Sequence, residues 1–370
     1  MTQRINKLLK ELPRFRKEAE GMRDILLANL VMLGEIPAPT FHEDARIEML
    51  MRRFSECGLH NCSTDEKGNA FGVLPGTKGK RNIVIATNAD TLIQEDVNPS
   101  VEIREKQVTG PFVGDNSIAL SALVSLPILM EKLGIELESN LILTGFAQSL
   151  GRGNLEGLRF FLKNSAVPLH SGISFESVQL GRLNYSCLGM LRGEIRVRLP
   201  EDYNWVQFGS TGSIIPMNDV ISKISKIPLP HRPMTSLVIG SIHGGISYHN
   251  IARQVTLGFE ARSESEKILK EIEQQVVDIV EGVAASSGVL AKLNVFARRE
   301  AGGIDISHPL VRNARVILDA LKIKPMMYPT TSALSAFLDT RVPAITLGCT
   351  TADRRDELAE IGRASCRERV

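Results

Sequence analysis

Four short apolar runs constrain this chain more than any other feature: Ile83-Val84-Ile85-Ala86, Leu141-Ile142-Leu143-Thr144-Gly145-Phe146, Ile173-Ser174-Phe175 and Ala344-Ile345-Thr346-Leu347. Each is too short for a helix, is bounded by turn residues, and is separated from the next by segments of helical periodicity. Strands that do not alternate apolar with polar residues are covered on both faces, which requires a sheet with helices above and below it. Met22, Ile25, Leu26, Leu30 and Leu33 fall on one face of a helix that ends at Gly34, and a second helix spans Ala45 to Cys57. A third runs from Ser117 to Lys132, is bent by Pro127 and is capped by Gly134. The pattern predicts an α/β domain.

The segment between the third and fourth runs has a different texture. Val255, Leu257, Phe259 and Ala261 alternate with Thr256, Gly258, Glu260 and Arg262, as in a strand with one buried face. Ser263 and Glu266 then form a capping-box pattern ahead of a helical stripe of Ile268, Ile272, Val276 and Ile279. With Asn218 to Ile227 as an earlier helix, the order becomes strand, helix, strand, strand, helix, strand. That is a ferredoxin-like α+β unit inserted into the larger domain. The expected division is residues 1–185 and 300–360 for the α/β domain, and 186–299 for the insert.

Charge excludes little at first sight, with 44 basic and 42 acidic residues and a net charge of +2. Residues 361–370, however, resemble translated sequencing-adapter sequence and are set aside from fold reasoning. Without their three arginines and one glutamate, 41 residues of each sign remain. The balance then argues against nucleic acid or an acidic membrane surface as a partner. No continuous apolar run reaches the roughly 18 residues of a membrane span. Cys57, Cys62, Cys187 and Cys349 form no CxxC pair, which fits a reducing compartment and a cytoplasmic protein.

The loops that follow the runs carry the chemistry. The first run leads into Thr87-Asn88-Ala89-Asp90-Thr91, a glycine-rich turn reads Gly110-Pro111-Phe112-Val113-Gly114-Asp115-Asn116, and the second run ends in Ala147-Gln148-Ser149-Leu150-Gly151. The third ends at Glu176, and Ala352-Asp353-Arg354-Arg355-Asp356-Glu357 follows the fourth. In this order the segments resemble the M20 family of zinc exopeptidases and amidohydrolases, over residues 20 to 358. The resemblance implies a zinc-exopeptidase-like mixed sheet with helices on both faces, and a lid that mediates dimerisation.

It also implies roles. Asn88 stands in the place of a histidine ligand, and Asp90 in that of the acid that orients this histidine. Asp115 fits the carboxylate that bridges two metals, and Glu176 a ligand of the first. Gln148 replaces the general base and Ser149 a glutamate ligand, while Asp353 stands where the last histidine belongs. Tyr203 takes the position of the lid histidine, Asn250 that of an asparagine contacting the substrate's carboxylate end, and Arg298 or Arg299 is a candidate second anchor. His249, beside Asn250, is a further candidate.

None of the five ligand positions is a histidine, although catalytic zinc takes imidazole, thiolate or carboxylate. Asn88, Asp115 and Glu176 offer only oxygen, which suits Mg²⁺ or Ca²⁺ at a residual half-site; the other reading of the site is that it takes no cofactor. An amide at Gln148 cannot accept a proton and return it. Three readings follow: an M20-like homologue impaired or inactive as a zinc hydrolase with a pocket for a small peptide or N-acyl amino acid, an active amide-bond hydrolase using a hard cation, and a non-catalytic dimerising partner. The expected assembly is a homodimer through the insert.

Overall fold

A computed structural model describes residues 2–92, 97–105, 107–202, 212–353 and 360–362. The chain divides into two compact units, Met1–Ser186 with Gly303–Val370, and Cys187–Gly302. In chain order the strands are β1 (His60–Thr64), β2 (Ala70–Leu74), β3 (Asn82–Asn88), β4 (Glu102–Ile103), β5 (Val108–Gly110), β6 (Asn140–Phe146), β7 (Ser171–Val178), β8 (Leu183–Asn184), β9 (Ser186–Cys187), β10 (Gly189–Arg198), β11 (Thr235–Gly244), β12 (Gln254–Ser263), β13 (Leu290–Arg299), β14 (Gly302–Gly303), β15 (Ala344–Thr350), β16 (Ala352–Asp353) and β17 (Glu360–Gly362). The helices are α1 (Thr2–Glu20), α2 (Arg23–Gly34), α3 (Asp44–Glu56), α4 (Ile118–Leu133), α5 (Glu156–Lys163), α6 (Ile214–Ile224), α7 (Glu266–Ser287), α8 (Pro309–Ala320) and α9 (Leu334–Asp339).

In the first unit, seven strands form one sheet in the order β1-β2-β6-β3-β7-β15-β8. Its centre, β6-β3-β7-β15, is parallel and consists of the four apolar runs side by side. The flanking strands β2 and β8 are antiparallel to it. Successive side chains on a strand leave by opposite faces. Ile85, Leu141 and Leu143 accordingly pack with Leu33, Ile47, Leu50, Phe54, Leu120 and Leu123 from α2, α3 and α4. Val84, Ala86 and Ile142 pack on the other side with Leu158, Phe161 and Leu162 of α5 and Leu334 and Phe337 of α9. Helices cover both faces.

Several boundaries differ from the expectation. Helix α2 begins at Arg23, which leaves Met22 just outside it, and its buried residues are Leu27, Asn29, Leu30, Leu33 and Gly34; Ile25 and Leu26 are half-buried. Helix α4 keeps Pro127 inside it and ends at Gly134, whose φ of 62° is the left-handed cap that glycine adopts without strain. The segment Val113–Leu133 does reach the length and apolarity of a membrane span, but 67% of its most apolar window is buried inside the fold, so it serves as a core helix. Ile361 and Gly362, set aside with the tail, lie in β17, which pairs with β5 at Thr109 and Val108. Backbone pairing makes few demands on side-chain identity, so composition did not indicate it.

The second unit has the order β10, α6, β11, β12, α7, β13, with an antiparallel sheet ordered β11-β12-β10-β13. This is the ferredoxin-like arrangement. Its core joins Leu191, Ile195 and Val197 of β10 to Val255, Leu257 and Phe259 of β12 and Leu269, Ile272 and Val276 of α7. The first helix is Ile214–Ile224, earlier than the sequence indicated. The N-cap of α7 is Ser265, which accepts from the Ile268 N–H at 3.5 Å, rather than Ser263. Ser263 instead shares a hydrogen bond with Thr235 on β11, so its hydroxyl is already engaged.

Candidate functional site

Open α/β sheets take ligands outside the carboxyl ends of their parallel strands. Several of the residues singled out above gather at that edge. Ala86 on β3 lies opposite Ser174 on β7, so Asn88 and Glu176, each two residues further on, end level on neighbouring strands. Asn116, next to Asp115, ties the two ends together. Its Nδ2 donates to Thr87 Oγ1 at 2.5 Å and Asn88 Oδ1 at 2.7 Å, and its Oδ1 accepts from the N–H and hydroxyl of Ser177, both at 2.7 Å.

Asp90 is wholly buried, yet neither of its oxygens lacks a donor. One accepts from Thr40 Oγ1 at 2.8 Å and from the backbone N–H groups of Ser149 at 2.8 Å and Leu150 at 2.9 Å. The other accepts from the Ser149 hydroxyl and from Asn88 Nδ2 at 3.3 Å. Its counter-charge comes from Arg46 on α3, 1% exposed, whose guanidinium donates to the carbonyls of Gly34, Ile36 and Ala89. Burial pulls the Arg46 pKa down to about 10, with the charge on Asp90 opposing the fall.

Glu43, at the start of α3, completes the cluster. It is buried and accepts the N–H of Gln148 at 2.7 Å. Glu43 and Asp90 thus take the backbone N–H groups of three successive residues, Gln148, Ser149 and Leu150. Burial pushes the Glu43 carboxyl above its usual range; N–H groups of Gln148 and Phe41 hold it down, and Asp90 pushes it up. Gln148 itself has a left-handed φ of 53°, and its side-chain amide reaches the Lys67 carbonyl at 3.5 Å.

Glu176 forms an ion pair with Arg182, and their side chains are only 14% and 8% exposed. The turn after β7 places Arg182 there through two close backbone approaches. A Cβ at Gly348 would fall 1.8 Å from the Gln179 carbonyl, and one at Gly181, where φ is 91°, 2.5 Å from that of Lys324. Bare glycine lets the turn lie against β15, where the Gly348 N–H donates to the Arg182 carbonyl at 3.2 Å.

These surroundings decide what the residues can bind. Among the described residues, no group of three or more His, Cys, Asp or Glu could hold a metal ion. The Asn88 oxygen is engaged by Asn116, the Ser149 hydroxyl is directed at Asp90, and Glu176 carries a guanidinium. A dizinc centre needs anionic or imidazole donors free to face the metals, and this set does not fit one. Asp115 lies half-buried in the turn Val113–Ser117, where its N–H donates to the Phe112 carbonyl at 2.9 Å.

Asp353 is in β16, and its side chain, like the whole of Tyr203, lies outside the described residues. In the second unit, Asn250 and His249 are exposed on the turn after β11. Arg298 pairs with Glu266 and Glu273 of α7, which accounts for it as a strand-to-helix tie. Sequence reasoning passed over Arg46, Glu43, Asn116 and Arg182. Arg46 did leave a signal, as a charge one residue before Ile47 and four before Leu50 on the buried side of α3.

The parallel-centred sheet, its two helical layers and the inserted βαββαβ unit make up the fold of M20 peptidases. Solved structures similar to the chain include human carnosine dipeptidase 1, at 12% identity and a TM-score of 0.74 over 96% of both chains. Others are a tripeptidase from Staphylococcus aureus, at 18% identity and 0.72 over 92% of this chain and 94% of that one, and the Bacillus subtilis YxeP protein, a dinuclear metal-binding peptidase of the M20 family, at 13% and 0.60 over 92% and 91%. The sequence matches no family model and no curated protein, so the likeness is one of fold.

Proposed function

We propose that the chain is a homologue of M20 metallopeptidases and amidohydrolases that has given up ordinary zinc hydrolysis and has kept the fold, a small-ligand site and a dimer. One observation carries this reading: the acids at the strand ends have protein counter-charges, Arg182 at Glu176 and Arg46 near Asp90. Gln148 supports it, because no proton acceptor of the required kind stands at that position. The ligand class is a small peptide or N-acyl amino acid. The homodimer forms through β11, an edge strand of the second unit's sheet on which Val238 and Ile242 are exposed. The four described cysteines are free thiols, which supports a reducing, cytoplasmic setting.

Metal analysis of the purified protein, together with a panel of peptides and N-acyl amino acids, tests the reading. The expected result is zinc well below one equivalent and no turnover. Stoichiometric zinc with turnover above about 1 s⁻¹, the low end of ordinary enzyme rates, overturns it. A second reading, hydrolysis assisted by Mg²⁺, Mn²⁺ or Ca²⁺, is favoured by the half-buried Asp115. It requires activity in metal-loaded protein that disappears in Asp115→Ala.

A further inference from the structure

Glu176 is a carboxylate at the carboxyl end of a central strand, level with Asn88, and almost out of water. A charge so placed must be matched, because an unpaired buried ion is among the least tolerable features of a folded protein. The guanidinium of Arg182 matches it, on Glu176 Oε2. The turn Gln179–Arg182 is tied by backbone hydrogen bonds to β15 and to the segment around Met326: Leu180 N–H to the Thr350 carbonyl, Gly348 N–H to that of Arg182, and Met326 N–H to that of Gly181. Arginine suits a fixed, dry ion pair because its fork is planar and its charge persists on burial.

We propose that Arg182 is a built-in cation, filling at Glu176 the electrostatic role that a divalent metal ion would fill, so that this edge of the sheet is complete without metal. The proposal rests on the reading that zinc chemistry is gone, and extends it by naming the residue that keeps a cation out. The guanidinium already on Glu176 repels a divalent ion brought to the same oxygen in this dry setting, so the two compete for Glu176. Removing the guanidinium leaves the Glu176 carboxylate without its counter-charge at the strand end, and a carboxylate oxygen so placed suits a hard cation.

The test is thermal unfolding of the full chain in EDTA and in millimolar Mn²⁺ or Ca²⁺. Wild type and Arg182→Lys, which keeps a positive charge, are expected to unfold at the same temperature in all three buffers. Arg182→Met is expected to unfold well below wild type in EDTA and to rise when either ion is added. If it is unfolded in EDTA, the ions are expected to refold it. Glu176→Gln/Arg182→Met, which has no charge to match, is expected to fold without responding to either ion. An Arg182→Met protein indifferent to both ions overturns the proposal, as does a double variant that fails to fold, since shape rather than charge would then be what Arg182 supplies. Zinc bound to wild type with turnover would strike the underlying reading instead, and metal analysis of the same wild-type sample reports that outcome separately.

Discussion

At the scale of single residues, the loop after β6 is held by carboxylates. Gln148, Ser149 and Leu150 direct their N–H groups at Glu43 and Asp90, and a buried carboxylate is tolerable only with such donors and a compensating charge. Asp90 has both, in five donors and Arg46. Glu43 has fewer donors and a like charge in Asp90, so the pH response of the cluster should centre on it. Its folded pKa lies above its unfolded value, chiefly through burial, so the folded state holds the proton to higher pH. Stability associated with this group is therefore present below the unfolded pKa and is lost as pH rises through the folded one. Glu43→Gln cannot titrate, and its amide oxygen still accepts the Gln148 N–H. The stability of Glu43→Gln relative to wild type should therefore increase with pH across the window just above the ordinary carboxylate range and then level off. Urea unfolding of both proteins between about pH 4 and pH 8 at constant ionic strength measures it, and a flat or falling difference would contradict the assignment.

Elements were legible in the sequence where burial fixes the pattern on both sides. The runs in the four central strands are mostly apolar because helices cover both sheet faces, whereas β1, at the sheet edge with mostly exposed residues, carries no such run. Of the site, the positions at strand ends were legible, since a short loop after an apolar run marks them. Arg182 was not, because its place depends on Gly348 and Gly181 letting the turn touch segments 169 and 143 residues away, at Gly348 against Gln179 and Gly181 against Lys324, contacts that no local pattern encodes. The exposed apolar residues on the edge strand β11 belong to this scale as well. Val238 is 48% and Ile242 54% exposed on a strand with one unpaired edge, and a dimer would cover both. Ile242→Lys should weaken self-association at least about tenfold, equivalent to about 1.4 kcal/mol, without altering the far-ultraviolet spectrum. Sedimentation equilibrium reads this directly, and a wild-type protein that stays monomeric at high concentration removes the basis for the dimer.

At the scale of the whole molecule, fold and metal chemistry rest on different requirements. Packing of helices on a sheet survives with 12–18% identity to solved peptidases, because volume and patterning suffice for it, whereas a metal centre depends on a few named atoms. The two units also have separate cores. Each has its own core clusters, and the second begins and ends on neighbouring strands, with Met190 of β10 opposite Arg299 of β13. A segment whose ends already lie side by side loses little on excision, since no long connection must be replaced. Residues 187–302, expressed alone, should therefore fold as one cooperative unit. For 116 residues the heat-capacity change on unfolding should be about 1.4–1.7 kcal/mol/K. Calorimetry tests both points at once. A single transition of that size with matching calorimetric and van't Hoff enthalpies shows an autonomous domain, whereas a broad transition with a much smaller heat-capacity change shows that the core of Leu191, Leu257 and Leu269 needs the rest of the chain to close.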